Sequence, residues 1–88
     1  MRVVVLYRPN SEHAGQVEDY LRDFKARYGL ELDTLDIDSA EGMSLAELYD
    51  ITRHPAILTT ADDGSLQQLW QGSGLPLLEE VYAYRQRV

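Results

Sequence analysis

Residues 3–14 read Val3-Val4-Val5-Leu6-Tyr7-Arg8-Pro9-Asn10-Ser11-Glu12-His13-Ala14, and this stretch decides the fold. A continuous apolar, β-branched run offers no polar face to water, so residues 2–7 predict a strand covered on both sides. Pro9 and Asn10 break it. Ser11 is a residue type that caps helices, and a helix is expected to open there. Ala14, Val17, Leu21, Phe24 and Tyr28 then recur at spacings of three and four, with Tyr20 beside them. Glu18, Asp19, Arg22, Asp23 and Lys25 fill the opposite face, and Gly29 is placed to end the helix in the left-handed conformation.

Beyond Gly29, residues 30–37 carry Leu30, Leu32, Leu35 and Ile37. Their alternation changes parity, which predicts a strand with a twist or bulge near Asp33-Thr34. Ser44-Leu45-Ala46-Glu47 has the form of a capping box and predicts a second helix, with Leu45, Leu48, Tyr49 and Ile51-Thr52 on its apolar side. Pro55 opens the strand Ala56-Ile57-Leu58-Thr59-Thr60, and Asp62-Asp63-Gly64 turns it into a partner running from Leu66 to Gln71. Gly72-Ser73-Gly74 interrupts the chain before a last helix that begins near Pro76 and carries Leu77, Leu78, Val81, Tyr82 and Tyr84. The order β-α-β-α-β-β-α predicts an α/β fold in a single domain over residues 1–88. The first two strands, joined through a helix, are expected to be parallel and the last two antiparallel. That gives a mixed four-stranded sheet with helices on both faces.

Fifteen acids against eight bases give a net charge of −7, a surface that repels phosphate backbones and anionic membranes. Nucleic acid is therefore not an expected partner. Neither is a membrane, because no apolar run approaches the roughly 20 residues that span a bilayer. With no leader-like opening either, a cytoplasmic location is expected. The chain has no cysteine, which removes disulfides, thiolate catalysis and cysteine-bound metals together.

In its order of elements the chain resembles the thioredoxin superfamily, most closely its small glutaredoxin-like members. The residues that carry the resemblance are Leu6-Tyr7-Arg8-Pro9 before a helix, Pro55 at the start of the third strand, and Asp62-Asp63-Gly64 followed by Trp70-Gln71-Gly72. The spacing from Asp36-Ile37-Asp38 through Leu45, Tyr49 and Ile51 to Pro55 is also similar to the middle of a thioredoxin. The resemblance implies a thioredoxin-like fold and a cis peptide bond before Pro55. It also implies that the residue before that proline, here His54, pairs main chain to main chain with a bound peptide or glutathione. Ser11 and Ala14 stand where the two redox cysteines would be. The glutathione signatures depart as well. Arg53-His54-Pro55 replaces Thr-Val-Pro, and Gly72-Ser73-Gly74-Leu75-Pro76 replaces a Gly-Gly pair followed by acids.

Little other chemistry is legible. Ser11, Glu12 and His13 lie too close together at a helix start to imply a triad, and a capping serine accounts for them. His13 and His54, with Glu12 or Asp50, match no established metal-ligand spacing, so neither a metal nor another cofactor is expected. The acids Glu31, Asp33, Asp36, Asp38 and Glu41 lack a calcium-loop pattern and read as a solvated strand and loop. Six tyrosines fall mostly on core faces, while Trp70 and one of Tyr82 and Tyr84 are expected to reach solvent.

The leading expectation is a binding or protein-interaction module without thiol redox activity of its own. Its groove would involve Arg8, Ser11, His13, Arg53, His54 and Pro55, where helix N-terminal donors and a free main-chain edge suit a peptide, a protein or a small anionic ligand. The alternatives are a glutathione-dependent, glutaredoxin-like enzyme using Ser11 or a thiol supplied by a substrate or partner, and a purely structural or oligomerising domain. A monomer or weak homodimer is expected in each case.

Overall fold

In the computed structural model, which describes residues 2–72 and 74–85, Val3 to Leu6 are all buried at the centre of a four-stranded sheet. They belong to β1 (Arg2–Tyr7), followed by α1 (Ala14–Tyr28), β2 (Asp33–Asp36), α2 (Ala40–Leu48), β3 (Ala56–Thr60), β4 (Leu66–Gln71) and α3 (Leu78–Arg85). The strand order is β2-β1-β3-β4. β1 and β2 are parallel, with Val4 opposite Asp33 and Tyr7 opposite Asp36, and β3 is antiparallel to both β1 and β4. Ser73, in the expected break after β4, lies outside the described residues.

The apolar run of β1 serves two cores at once, because successive side chains in a strand point to opposite faces. Val3 and Val5 pack with Val17, Phe24, Leu32, Ile57 and Val81 under α1 and α3. Val4 and Leu6 pack with Ile37, Ile51, Ala56 and Leu58, beside Leu45 and Tyr49 at α2. Helices therefore cover both faces. Aromatic rings tie α1 to α3: Tyr28 stacks on Tyr82 with centroids 3.9 Å apart, and Phe24 meets Tyr28 at 4.9 Å. Gly29, with φ +68°, closes α1 and donates its N–H to the Lys25 carbonyl at 2.8 Å.

Several sequence expectations need correction. The parity change in residues 30–37 is no bulge: the β1–β2 register is unbroken, and Leu32 serves the α1 side while Leu35 and Ile37 serve the α2 side. The irregularity of the sheet lies instead at Thr59/Thr60 against β4. α2 starts at Ala40, not Ser44, because Ser39 takes the cap. Its Oγ accepts from the Gly42 N–H at 3.0 Å and donates to the Asp36 carbonyl at 2.6 Å, joining the end of β2 to the first turn of the helix. Gly42 permits this approach, since a Cβ there would lie far inside van der Waals contact with the Asp36 carbonyl oxygen. Leu48, expected on the apolar side of α2, is 70% exposed, and Leu77, expected inside the last helix, lies just ahead of α3 and is 63% exposed. Trp70 is partly exposed, as expected, and meets Tyr84 edge to face, but Tyr82 and Tyr84 are both half-buried, so neither alone is the solvent-facing one.

Candidate functional site

Because β1 and β2 run parallel and end side by side, the residues just beyond them meet. Arg8 grips Asp38 with two charge-assisted bonds, Nε to Oδ2 at 2.8 Å and Nη2 to Oδ1 at 3.1 Å. Those bonds hold the Asp38 carboxyl below its ordinary range and the Arg8 guanidinium above its own. Both side chains are exposed.

The turn after Arg8 differs from the expected helix start. Asn10 adopts a left-handed φ of +62°, which asparagine tolerates, and the Ser11 Oγ donates back to the Arg8 carbonyl at 2.5 Å. Ser11 is therefore spent on closing the turn and caps no helix. The cap position belongs to His13, whose side chain makes no cap bond. Its Nε2 instead accepts the Arg8 main-chain N–H at 3.0 Å. Ala14, the first residue of α1, is buried.

Opposite this turn lies the loop before β3. The Thr52 and Arg53 N–H groups both donate to the Gln71 Oε1, at 2.9 and 3.1 Å, and the Gly72 N–H donates to the Pro55 carbonyl at 2.9 Å. Pro55 is buried, and the His54–Pro55 peptide is cis. Among the described residues, neither the main-chain N–H nor the carbonyl of His54 has a hydrogen-bond partner. The His54 imidazole is half-buried and its Nε2 is buried without a partner. Burial pushes its pKa down, His13 and Arg8 add to the effect, and Asp38 opposes it.

Arg8, Ser11, His13 and His54 thus gather around one end of β1. Arg53 stands to the side, its guanidinium beside Gly72, and no carboxylate pairs with it among the described residues. The two imidazoles do not assemble a metal site with Glu12 or Asp50: among the described residues no three His, Cys, Asp or Glu side chains come together to hold an ion. The Ser11 hydroxyl and the His13 Nε2 have different partners, so the His13 Nε2 is not paired with the serine as a base. Much of the acidic stretch is used in local bonds, Glu31 with Lys25, Asp33 with Arg2, and Asp38 with Arg8.

Sequence reasoning missed Asp38 and Gln71 as parts of the site. Asp38 was findable, since parallel pairing of the first two strands places Arg8 and Asp38 just past aligned strand ends. Gln71 gave no signal, because nothing in its neighbours marks a side chain that reaches across to another loop.

No protein-family model matches the chain, and no curated protein matches it. Solved structures do. Thioredoxin 1 of Thermosipho africanus superposes with a TM-score of 0.61 at 10% identity, covering 99% of this chain and 92% of that one. Mitochondrial thioredoxin 3 of Saccharomyces cerevisiae gives 0.66 at 16% identity, covering 98% and 76%. Thioredoxin O2 of Arabidopsis thaliana gives 0.64 at 9% identity, covering 99% and 73%. At such identities the likeness establishes the fold: this chain has a thioredoxin-like fold, and it lacks cysteine altogether.

Proposed function

We propose that this protein is a cytoplasmic binding module that runs no thiol chemistry of its own and takes an extended peptide or small anionic ligand along His54 and Pro55. The observation that carries the reading is the main chain of His54, whose N–H and carbonyl are unpartnered among the described residues while the loop around them is fixed by Gln71 and Gly72. A rigid edge with a donor and an acceptor free is what an extended segment pairs with. Arg53 adds a cation that no carboxylate pairs with among the described residues, a local attraction for an anionic group that works against the overall charge of −7. Without cysteine there is no thiolate to attack a disulfide, so binding is what the scaffold retains.

The test is an amide-resolved NMR titration with an extended acidic peptide and, separately, with glutathione. Amides of residues 11–14, 53, 54 and 56 are expected to shift with one of the two, and Arg53→Ala to weaken the response. Silence at all of these positions with both ligands would end the proposal.

A further inference from the structure

We infer that β4 is a dimerisation edge, pairing antiparallel with β4 of a second copy of this chain about a two-fold axis. The two open edges of the sheet are unlike. The β2 edge is four residues long and carries Asp33 and Asp36. The β4 edge, Leu66-Gln67-Gln68-Leu69-Trp70-Gln71, has no charge and no proline over six residues. Charges and prolines are what usually keep an exposed edge from pairing with another chain, and among the described residues β4 is guarded only by the irregularity at its start.

The direction of its main chain can be read from two bonds. The Gly72 N–H points inward to the Pro55 carbonyl, so by alternation the Trp70 and Gln68 main chains also face β3. Leu69 and Gln71 therefore present theirs to the open side. In agreement, the Leu69 N–H meets no strand and is covered by the Oε1 of Gln68 at 3.0 Å. A partner strand would take the place of that side-chain amide.

Charge selects the occupant. One end of β4 follows the acidic turn Asp62-Asp63, and the other leads to Gly72 with the Arg53 guanidinium beside it. A two-fold axis near Leu69 brings the Arg53 end of each copy to the Asp62-Asp63 end of the other, so one ion pair forms twice. Partly exposed Leu66 and half-buried Trp70 and Tyr84 flank the seam and add apolar contact. The seam is short, so the dimer is weak and fast-exchanging.

Sedimentation velocity on the full chain is expected to show reversible dimerisation between about 10 μM and 1 mM. Over the same range, hydrogen exchange at the Leu69 and Gln71 amides should slow as concentration rises. Leu69→Pro removes an outward donor without touching the ladder to β3, and should raise the dissociation constant about tenfold or more. Arg53→Glu should do the same, and adding Asp62→Lys to it should restore the dimer. A chain that stays monomeric at about 1 mM overturns the inference. So does a dimer whose Leu69 and Gln71 amides ignore concentration, or one that the charge swap fails to restore. Should Leu69→Pro not fold, the charge-swap pair alone decides.

Discussion

The imidazole of His13 holds the main chain of Arg8, its Nε2 accepting that N–H at 3.0 Å. This bond spans the turn between β1 and α1 and ties the residue that precedes the helix back to the end of the strand.

His13→Ala should therefore loosen the turn rather than the core. Losing one such bond costs about 0.5–1.5 kcal/mol, which a urea titration resolves. Exchange at the Arg8 amide should quicken while amides of the β1–β3 ladder keep their rates. A variant that loosens the ladder equally contradicts the assignment.

Acidification should weaken the fold through His54. Its folded pKa lies below the ordinary 6.5, so as pH falls the unfolded chain takes up the proton first. The contribution of this residue is complete above 6.5 and is lost between 6.5 and the lowered folded value. The urea midpoint of the wild type should drop across that window relative to His54→Gln. Parallel pH profiles for the two proteins would show that the imidazole plays no such part.

Two glycine substitutions should move stability in opposite directions. At Gly42 a Cβ collides with the Asp36 carbonyl, a backbone atom that cannot swing aside, so Gly42→Ala should cost about 1–3 kcal/mol. At Gly15, inside α1, a Cβ meets nothing within 4 Å. Gly15→Ala should stabilise by about 0.5–1 kcal/mol through helix propensity. Thermal melts of the two variants give the comparison directly.

Phe24→Ala should be severe. The ring is fully buried and touches both Tyr28 and Tyr82, so its loss opens a cavity where α1, α3 and the sheet meet. The expected cost of about 3–5 kcal/mol is a large part of the stability of a small domain. Near-ultraviolet circular dichroism should lose its tyrosine signal along with the urea midpoint.

The parts of this fold that were legible in the sequence are those where one local signal had no rival. Asp62-Asp63-Gly64 between two apolar runs fixed the hairpin, and β3 and β4 fall where the pattern placed them. Gly29 ended α1 for the same reason. The helix starts were misread because serine is a good cap in several places. Ser44 looked like one, but Ser39 wins because its hydroxyl also reaches the Asp36 carbonyl across the close approach at Gly42. Ser11 looked like one too, but left-handed Asn10 turns the chain so that the hydroxyl meets the Arg8 carbonyl. Arg8, Ser11, His13 and His54 sit around one end of β1 because the order of elements brings the β1–α1 turn and the loop before Pro55 together, whereas Arg53 stands aside. Asp38 and Gln71 act through tertiary distances that residue type alone does not encode.

The late start of α1 at Ala14 bears on what a cysteine placed at position 11 would meet. A helix favours negative charge only within its first turn, and position 11 lies ahead of that turn with its side chain folded toward the Arg8 carbonyl. A cysteine grafted there would face an acceptor that holds the thiol proton instead of donors that draw it off. Giving this chain redox chemistry would mean rebuilding a loop, because exchanging two side chains leaves the backbone of the turn as it is.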